Sequence, residues 1–280
     1  MRIVTDPAKL QQVVSQVPRP LILVPTMGAL HEGHLALVRR ARRLARGTGT
    51  TAASIFVNPI QFGPSEDFGR YPRSFEQDSA LLKQNGCDLV FGPGAPDMYY
   101  PDRSIEIVEN SLSRVMCGAS RPGHFSGVCT VVAKLFNLFR PDIAIFGAKD
   151  FQQFAIIKRM VRDLNFPIRL EAHPTVREPD GLAMSSRNIY LSAEEREQAP
   201  VIQQVLQRAE KKVREGRGSV AGVVDWMRTQ IQLTPLAKVD YVVAVDPVNL
   251  QTASQLRPPV LLAAAVLFGK TRLIDNRLVE

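Results

Sequence analysis

Short apolar runs alternate with amphipathic helical patterns through the first 170 residues, and this alternation constrains the fold more than any other feature. The predicted strands are Leu21–Val24, Ala53–Val57, Leu89–Phe91, Ile143–Phe146 and Ile168–Leu170. The predicted helices lie near Leu35–Arg46, Phe75–Asn85, Val128–Phe139 and Phe151–Leu164. Strands that alternate with helices in this way indicate an α/β fold, a doubly wound parallel sheet with helices on both faces.

The pattern changes after His173-Pro174. A charged helix is expected from Ser192 to about Glu215, and Ser192 fits a capping box with Glu195. A further helix and three strands follow, near Val220–Leu233, Val239–Val245, Val260–Phe268 and Thr271–Asp275. We therefore predict two domains, residues 1–173 and a second, smaller α+β domain of residues 174–280.

Composition is ordinary for a globular protein of 280 residues, with 45% hydrophobic and 22% charged residues. No apolar run reaches membrane-spanning length, and the N-terminus lacks the apolar core of a signal peptide. Cys87, Cys117 and Cys129 are odd in number and show no Cys-x-x-Cys spacing, which favours buried free thiols in a reducing compartment. These observations predict a cytoplasmic protein with no membrane partner.

The net charge of +8 leaves two interpretations open, nucleic acid or anionic small molecules. The densest basic cluster is on one predicted helix and comprises Arg39, Arg40, Arg42, Arg43 and Arg46. The apolar stripe of the same helix comprises Leu35, Val38, Ala41 and Ala45. A solvated outer face is favoured over a nucleic-acid site because no aromatic residues interleave with the arginines to stack on bases.

The segment Pro25-Thr-Met-Gly-Ala-Leu-His-Glu-Gly-His34 follows an apolar run and precedes a helical pattern, so it predicts a strand, a glycine turn and a helix. A helix N-terminus presents unpaired N–H groups and positive partial charge, which suit phosphate. His31 and His34 at that point can donate to an oxygen that gains negative charge during a reaction.

Three other interpretations of this segment compete with phosphate binding. Gly28 and Gly33 have Walker A spacing, but His34-Leu35 replaces the lysine and the hydroxyl residue, which excludes a P-loop. His31-x-x-His34 is one residue short of a zinc protease pattern and has no nearby third ligand. A glycine turn with two surface histidines is the plain alternative.

Other polar segments follow predicted strands or turns. Lys149 suits phosphate, whereas Asp150 can cap a helix or hold magnesium or a ribose hydroxyl. Met184-Ser-Ser-Arg-Asn188 offers two hydroxyls and a guanidinium to a triphosphate. Arg121 and His124 precede a helix, and a structural role for them is favoured slightly over anion binding. The chain lacks Gly-x-Ser-x-Gly and any evident Cys–His pair, which favours direct transfer between bound substrates over covalent catalysis.

These motifs resemble the pantothenate synthetase (pantoate–β-alanine ligase) family over residues 21–275, nearly the whole chain. The matching segments are Pro25–His34, Ser54–Gly63, Arg121–Phe125, Lys149–Gln153, Asp180–Asn188 and Arg272–Asn276. The resemblance implies a Rossmann-like N-terminal domain, a smaller C-terminal lid domain and a cytoplasmic homodimer. It also implies an ATP- and Mg²⁺-dependent ligation of pantoate and β-alanine through pantoyl adenylate, with release of AMP and pyrophosphate.

By position, the resemblance also implies site residues. His34, His31 and Lys149 would be catalytic. The first ATP segment would comprise Met27, Gly28, Ala29, Leu30, His31, Glu32, Gly33 and His34. The other ATP-binding residues would be Gly147, Ala148, Lys149, Asp150, Val176, Met184, Ser185, Ser186 and Arg187. Gln61 and Gln153 would bind pantoate, with Gln61 also near β-alanine. Asp78 would be tied to magnesium.

Two departures from the family pattern are visible. Ala148 stands where the family has glutamate, and Gln77 stands where it has a second acid. Two rival functions remain: another adenylyltransferase with the same nucleotide signature, usually a shorter single-domain protein, and an RNA-binding module descended from a synthetase fold.

Overall fold

Parallel strands form the main sheet of the computed structural model, which describes residues 1–64, 66–216 and 218–280. Within those residues six strands pair in the order β1-β4-β3-β2-β5-β6, all parallel. They are β1 (Arg2–Val4), β2 (Leu21–Thr26), β3 (Thr50–Ile55), β4 (Leu89–Phe91), β5 (Ile143–Gly147) and β6 (Arg169–His173). The predicted α/β parallel sheet is confirmed.

Helices connect these strands. They are α1 (Pro7–Val14), α2 (Glu32–Leu44), α3 (Phe75–Gln84), α4 (Ala95–Met98), α5 (Cys117–Ser120), α6 (His124–Phe139) and α7 (Phe151–Asp163). Short 3₁₀ helices span Pro59–Gln61, Asp67–Gly69, Leu112–Arg114, Ala148–Asp150 and Ser186–Tyr190. Strand β1 and helix α1 were not predicted; only Val4 of β1 is buried, so this strand has no apolar run like the one that marks β4. The start of α1 does carry a signal, because Asp6 caps it and Pro7 follows.

Both faces of the main sheet are covered. On one face, Val38 of α2 and Leu82 of α3 belong to a core that includes Val90 of β4. Adjacent residues of a strand point to opposite faces, and Phe91 accordingly contacts Phe139 of α6, with ring centroids 5.9 Å apart. The sheet is therefore doubly wound, with α2 and α3 on one side and α6 on the other.

A smaller antiparallel sheet is built from the C-terminal residues. Its strands β7 (Ala237–Val245), β8 (Val260–Phe268) and β9 (Thr271–Val279) pair in that order. Helices α8 (Ala193–Gln198), α9 (Val201–Arg214) and α10 (Val220–Gln232) precede the sheet in the chain. The sheet shares its core with α9 and α10, through buried residues such as Leu206, Met227 and Leu262. The second part of the chain thus has the expected α+β character.

The single helix expected from Ser192 to about Glu215 is wrong. The structure has α8 and α9 instead, separated at Ala199-Pro200. Pro200 has no N–H to donate to a preceding carbonyl, and its ring crowds the preceding turn, so a new helix begins after it. Ser192 does cap α8, and the capping box with Glu195 is present.

The chain divides into two compact units. Unit 1 comprises residues 1–110, 121–148 and 156–174, and unit 2 comprises residues 111–120, 149–155 and 175–280. The predicted domains, 1–173 and 174–280, remain a prediction. A single boundary does not describe the two short stretches, residues 111–120 and 149–155, that belong to unit 2.

The basic helix α2 turns its apolar stripe to the core and its arginines outward, as the sequence pattern predicts. Leu35, Val38, Ala41 and Ala45 are buried. On the outer side, Arg40 forms an ion pair with Glu171 and Arg42 forms one with Asp88. Arg39 pairs with Glu32 and donates to Asn85. These arginines are therefore engaged within the protein.

The three cysteines are free and buried, as predicted. Burial raises the pKa of the Cys87 and Cys129 thiols to about 12, so both are protonated at neutral pH. Within residues 1–64, 66–216 and 218–280, the helices are all too short or too polar to cross a membrane.

Candidate active site

The order of the main sheet reverses between two neighbouring strands. From β2 the chain builds outward through β3 and β4, and β5 then pairs with the opposite side of β2. Ligands of doubly wound folds bind beyond the carboxyl ends of the strands at such a switch point. The Pro25–His34 segment leaves β2 at this point, and β5 ends there at Gly147, just before Ala148.

The two histidines of this segment organise the first turn of α2. His31 is the N-cap residue, and its Nδ1 accepts the Gly33 N–H at 3.1 Å. His34 Nδ1 accepts the His31 N–H at 3.3 Å, and the two rings lie 4.1 Å apart. Because each Nδ1 accepts a hydrogen bond, a neutral ring carries its proton on Nε2. Both imidazoles are therefore in the tautomer that donates from Nε2.

The turn that enters α2 requires glycine at one position. Gly28 has φ of 82°, and a Cβ added there would lie 2.9 Å from Asp78 Oδ2. Ala29 follows with φ of 50°. Both the left-handed backbone and the lack of space exclude a side chain at residue 28. The Gly28 N–H also donates to Thr26 Oγ1, so the turn is held at its start.

Asp78 holds the same turn from α3. Its Oδ2 accepts the Ala29 N–H at 2.9 Å, and its Oδ1 accepts the Leu30 N–H at 2.8 Å. The residue is only 1% exposed. Both carboxylate oxygens thus take part in fixing the first predicted ATP segment.

The position of Asp78 does not fit a resident magnesium ion. A buried carboxylate that satisfies two backbone donors has little room to exchange them for a hydrated cation, and Mg²⁺ usually keeps several waters. In the described part of the chain, no cluster of three or more His, Cys, Asp or Glu side chains could hold a metal. The family resemblance implies that Asp78 is tied to magnesium; in the structure its carboxylate holds the backbone of the turn before α2.

Gln61 belongs to a hydrogen-bond network within unit 1. Its Oε1 accepts from Asn58 Nδ2 at 3.1 Å, and its Nε2 donates to Met27 Sδ at 2.7 Å. Tyr99 donates its hydroxyl to Asn58 Oδ1 at 2.8 Å. The backbone at this point is closely approached by α6, since a Cβ on Gly127 would lie 2.4 Å from the Ile60 carbonyl oxygen.

Arg121 and His124 extend the same hydrogen-bond network. His124 Nδ1 lies 2.8 Å from the Gln61 carbonyl oxygen, and Arg121 lies 3.0 Å from His124 Nε2. Arg121 also donates to both oxygens of Glu66, at 2.7 and 2.6 Å. Burial raises the pKa of Glu66, but the hydrogen bonds and charge of Arg121 outweigh it and lower that pKa below its usual value. Both residues thus have structural contacts within unit 1, as the favoured interpretation expects.

The second predicted ATP segment continues from Ala148 into unit 2. Lys149 and Asp150 lie in the 3₁₀ helix before α7, with Lys149 Nζ 3.9 Å from Asp150 Oδ2. The Lys149 carbonyl accepts from Asn276 Nδ2 at 2.7 Å. The Lys149 side chain thus extends from a backbone that is fixed by β9.

Adjacent glutamines of α7 have different environments. Gln152 is 4% exposed; its Oε1 accepts the Cys117 N–H, and its Nε2 donates to the Leu112 and Val115 carbonyls at 2.7 Å. Gln153, which was predicted to bind pantoate, is partly exposed. The sequence missed the structural role of Gln152, because nothing in two adjacent glutamines distinguishes which one is buried.

The third predicted ATP segment begins on a small hairpin of unit 2. Met184 donates its N–H to the Val176 carbonyl at 3.0 Å, which joins two of the predicted ATP-binding residues. Ser185 caps the following 3₁₀ helix by accepting the Arg187 N–H at 3.3 Å. Ser185 and Ser186 were expected to be available for phosphate; Ser185 has this capping bond as well.

The predicted residues therefore fall into two groups. Unit 1 holds Met27–His34, Gln61, Asp78, Gly147 and Ala148. Unit 2 holds Lys149, Asp150, Gln153, Val176 and Met184–Arg187.

Comparisons with known proteins identify the family of this chain. The family model described as pantoate-beta-alanine ligase matches residues 2–278. A pantothenate synthetase of Syntrophomonas wolfei is 52% identical over 262 residues, covering 93% of this chain and 92% of the relative. One from Thermoanaerobacter sp. (strain X514) is 51% identical over 91% of this chain and 89% of the relative.

Solved structures are similar over the full length. A pantothenate synthetase from Thermus thermophilus superposes with a TM-score of 0.93 at 46% identity, covering 100% of this chain and 99% of the other. A pantoate-beta-alanine ligase from Francisella tularensis, described as complexed with beta-gamma ATP and beta-alanine, has a TM-score of 0.81 at 31% identity, covering 99% and 97%. The family model spans nearly every residue, and the relatives are about half identical over 91% and 93% of the chain. This chain therefore belongs to the pantoate–β-alanine ligase family.

Proposed function

We propose that this protein condenses pantoate with β-alanine at the expense of ATP. In the first step a pantoate carboxylate oxygen attacks the α-phosphorus of ATP, and the bond to pyrophosphate breaks. In the second step the β-alanine amine attacks the acyl carbon of pantoyl adenylate; AMP leaves, the nitrogen loses a proton and pantothenate forms. Family membership carries this proposal, and the His31–His34 geometry supports it.

The histidines would act as hydrogen-bond donors in the first step. Negative charge grows on the phosphate oxygens as pyrophosphate departs, and a donor fixed in advance stabilises that charge without reorganising. The Nδ1 bonds of His31 and His34 hold both rings in the Nε2–H tautomer. The N-terminus of α2 adds its own positive partial charge.

Residues of the other segments would bind the remaining parts of the substrates. Lys149 is a compact cation for phosphate, and Asp150 would accept from the ribose hydroxyls. Val176 would meet adenine through its backbone, with Met184–Arg187 on the phosphates. Gln61 and Gln153 would bind pantoate through directional amide hydrogen bonds, with Gln61 also near β-alanine. These roles follow the family resemblance.

Magnesium, in this proposal, enters with ATP as part of the substrate. The environment of Asp78 supports a positioning role for that carboxylate rather than a resident metal site. A cytoplasmic homodimer completes the proposal, on the strength of the family resemblance. Light scattering coupled to gel filtration tests the dimer, with a mass near twice 31.0 kDa as the expected result.

Omission of each substrate in turn tests the reaction. ATP and pantoate without β-alanine are expected to give at most one rapid equivalent of pyrophosphate per site, with pantoyl adenylate retained on the protein. Addition of β-alanine then releases AMP and pantothenate. A rapid-quench experiment with labelled ATP measures the burst. Turnover with β-alanine but without any burst in its absence would point to a concerted reaction, and AMP formation that needs no pantoate would overturn the proposed function.

Arg187→Ala extends the same experiment. If Arg187 binds the triphosphate, the variant is expected to reduce the pyrophosphate burst rather than only the later amine step. Preformed pantoyl adenylate, supplied with β-alanine, provides the control because it bypasses the first step. A normal burst in the variant would place Arg187 outside the triphosphate site.

A further inference from the structure

The C-terminal strand β9 carries the segment Arg272–Asn276, which matches the family but has no part in the proposed chemistry. Two adjacent residues of this segment contact predicted ATP segments or the residues that support them. Asp275 contacts the hairpin before Met184, and Asn276 contacts the loop of Lys149. All of these residues belong to unit 2.

Asn276 fixes the backbone at Lys149. Its Nδ2 donates to the Lys149 carbonyl at 2.7 Å across 127 positions of sequence. The 3₁₀ helix Ala148–Asp150 leads directly into α7. Asn276 adds a hydrogen bond from β9 to this turn, at the residue whose flexible side chain is predicted to reach phosphate.

Asp275 fixes the hairpin through Arg177. The two Asp275 oxygens accept from the two terminal nitrogens of Arg177 at 3.0 and 2.6 Å, a bidentate pair. Arg177 also donates to the Gly181 carbonyl at 3.0 Å. Asp275 is only 4% exposed, and a bidentate pair of this kind specifies orientation as well as position.

The hairpin held in this way carries two predicted ATP-binding residues. Arg177 pairs with Ala183 as an antiparallel bridge, and Met184 donates to the Val176 carbonyl. Side chains of adjacent residues in a strand point to opposite faces. One dipeptide of β9 thereby holds two separate segments, one on each face of the strand.

We propose that Asp275 and Asn276 are positioning residues for adenylation, which set the backbones of the Lys149 loop and of the Val176–Met184 hairpin for ATP. This inference rests on the proposed function. Neither residue is assigned a contact with substrate, so both act through the segments that they hold.

Variants of Asn276 provide the main test because this side chain is only partly buried and the fold is expected to survive its loss. Asn276→Ala removes the amide, and Asn276→Asp keeps its size but replaces the donor with a carboxylate. Both are expected to lower kcat/KM for ATP by about tenfold, the effect of losing roughly one hydrogen bond. KM for β-alanine is expected to stay within about twofold.

Arg177→Lys tests the second contact. It keeps the positive charge beside Asp275 but loses the fork that holds both oxygens and the Gly181 carbonyl. A fall in kcat/KM for ATP is expected, with faster hydrogen exchange of the Gly181 and Met184 amides. Asn276→Asp should instead speed exchange near residues 149–153.

The control is Arg277→Gln, on the residue next to Asn276. Arg277 pairs with Glu210 of α9, so its loss removes an ion pair of the same strand without touching a predicted ATP segment. This variant is expected to keep kcat/KM for ATP within about twofold of wild type, even where its melting temperature falls. An equal loss of ATP efficiency in Arg277→Gln would reduce the effect to general destabilisation and overturn the proposal.

The two hypotheses fail differently. Wild-type efficiency in the Asn276 variants, with an active wild type, would overturn the positioning role alone. An inactive wild type would overturn the proposed function. In that case calorimetry measures the affinity of each variant for a non-hydrolysable ATP analogue. The positioning role then requires that the Asn276 variants bind the analogue more weakly than wild type and Arg277→Gln do.

Discussion

Asp78 Oδ1 accepts the backbone N–H of Leu30 at 2.8 Å. This hydrogen bond joins α3 to the turn that enters α2, across 48 positions of the chain. The second carboxylate oxygen does the same for the preceding residue, Ala29. Asp78 therefore fixes the main chain of the turn that is predicted to bind phosphate.

Asp78→Asn is expected to destabilise the protein and to lower kcat/KM for ATP. An amide presents one acceptor and one donor, so one backbone N–H of the turn would face another N–H. An unsatisfied buried donor costs about 1–3 kcal/mol. Urea unfolding and steady-state kinetics measure the two effects, with Glu76→Gln on the exposed side of the same helix as the control. A variant whose defect disappears at high Mg²⁺ would instead restore Asp78 as a metal ligand.

His34→Ala is expected to fold but to lose most of the adenylation rate. Removal of one donor that stabilises transition-state charge typically costs about 2.7–4 kcal/mol. The capping bond from the His31 N–H is lost as well, so a modest fall in stability accompanies the kinetic effect. Single-turnover formation of pyrophosphate checks the rate, and circular dichroism checks the fold. Turnover near wild type would remove His34 from the catalytic residues.

Gln153→Ala is expected to affect substrate binding, whereas Gln152→Ala is expected to affect stability. The first should raise KM for pantoate with little change in unfolding free energy. The second should destabilise the protein, since three backbone groups lose their partner and each buried group left unsatisfied costs about 1–3 kcal/mol. Gln61→Ala should resemble Gln153→Ala in its effect on pantoate. Calorimetry and chemical unfolding distinguish the two outcomes, and equal pantoate affinity in Gln153→Ala and wild type would contradict the assignment.

The Glu66–Arg121 pair predicts a pH dependence of stability. The pKa of Glu66 is lowered in the folded protein, so the unfolded chain binds its proton more tightly. The stabilisation is present above the ordinary glutamate pKa, about 4.3, and is lost as pH falls through the lowered value. Glu66→Gln is expected to be less stable than wild type at neutral pH, with the difference shrinking as the pH falls below that ordinary pKa. Urea unfolding across this range measures it; a constant difference would show that the charge is not responsible.

Much of the fold was predictable because it depends on local pattern. The apolar runs that became β2 and β5 are buried in a parallel sheet, and the Pro25–His34 segment placed a helix start beside two histidines. The break at Pro200 was also visible in the sequence and was overlooked. By contrast, the roles of Asp78 and Gln152 depend on hydrogen bonds to residues 35 or more positions away. Spacing in the chain carries no information on such pairs.

The predicted site is thus only partly readable from sequence. Residue types and helix ends indicate phosphate binding. Which of two adjacent polar residues is buried and has a structural role depends on the fold. Arg121 has the chemistry of an anion ligand, and Glu66 is the anion that it binds within the protein.

The predicted ligand-binding segments are held by hydrogen bonds to main-chain atoms of Ala29, Leu30, Gln61 and Lys149. A side chain in such a segment can therefore be exchanged without loss of the hydrogen bonds that fix the backbone. Ala148, in place of the family's glutamate, is one such exchange, since the supporting bond falls on the carbonyl of the next residue. The same property offers a route for engineering: side chains along these segments can be replaced to admit other acids or amines while the scaffold keeps its shape.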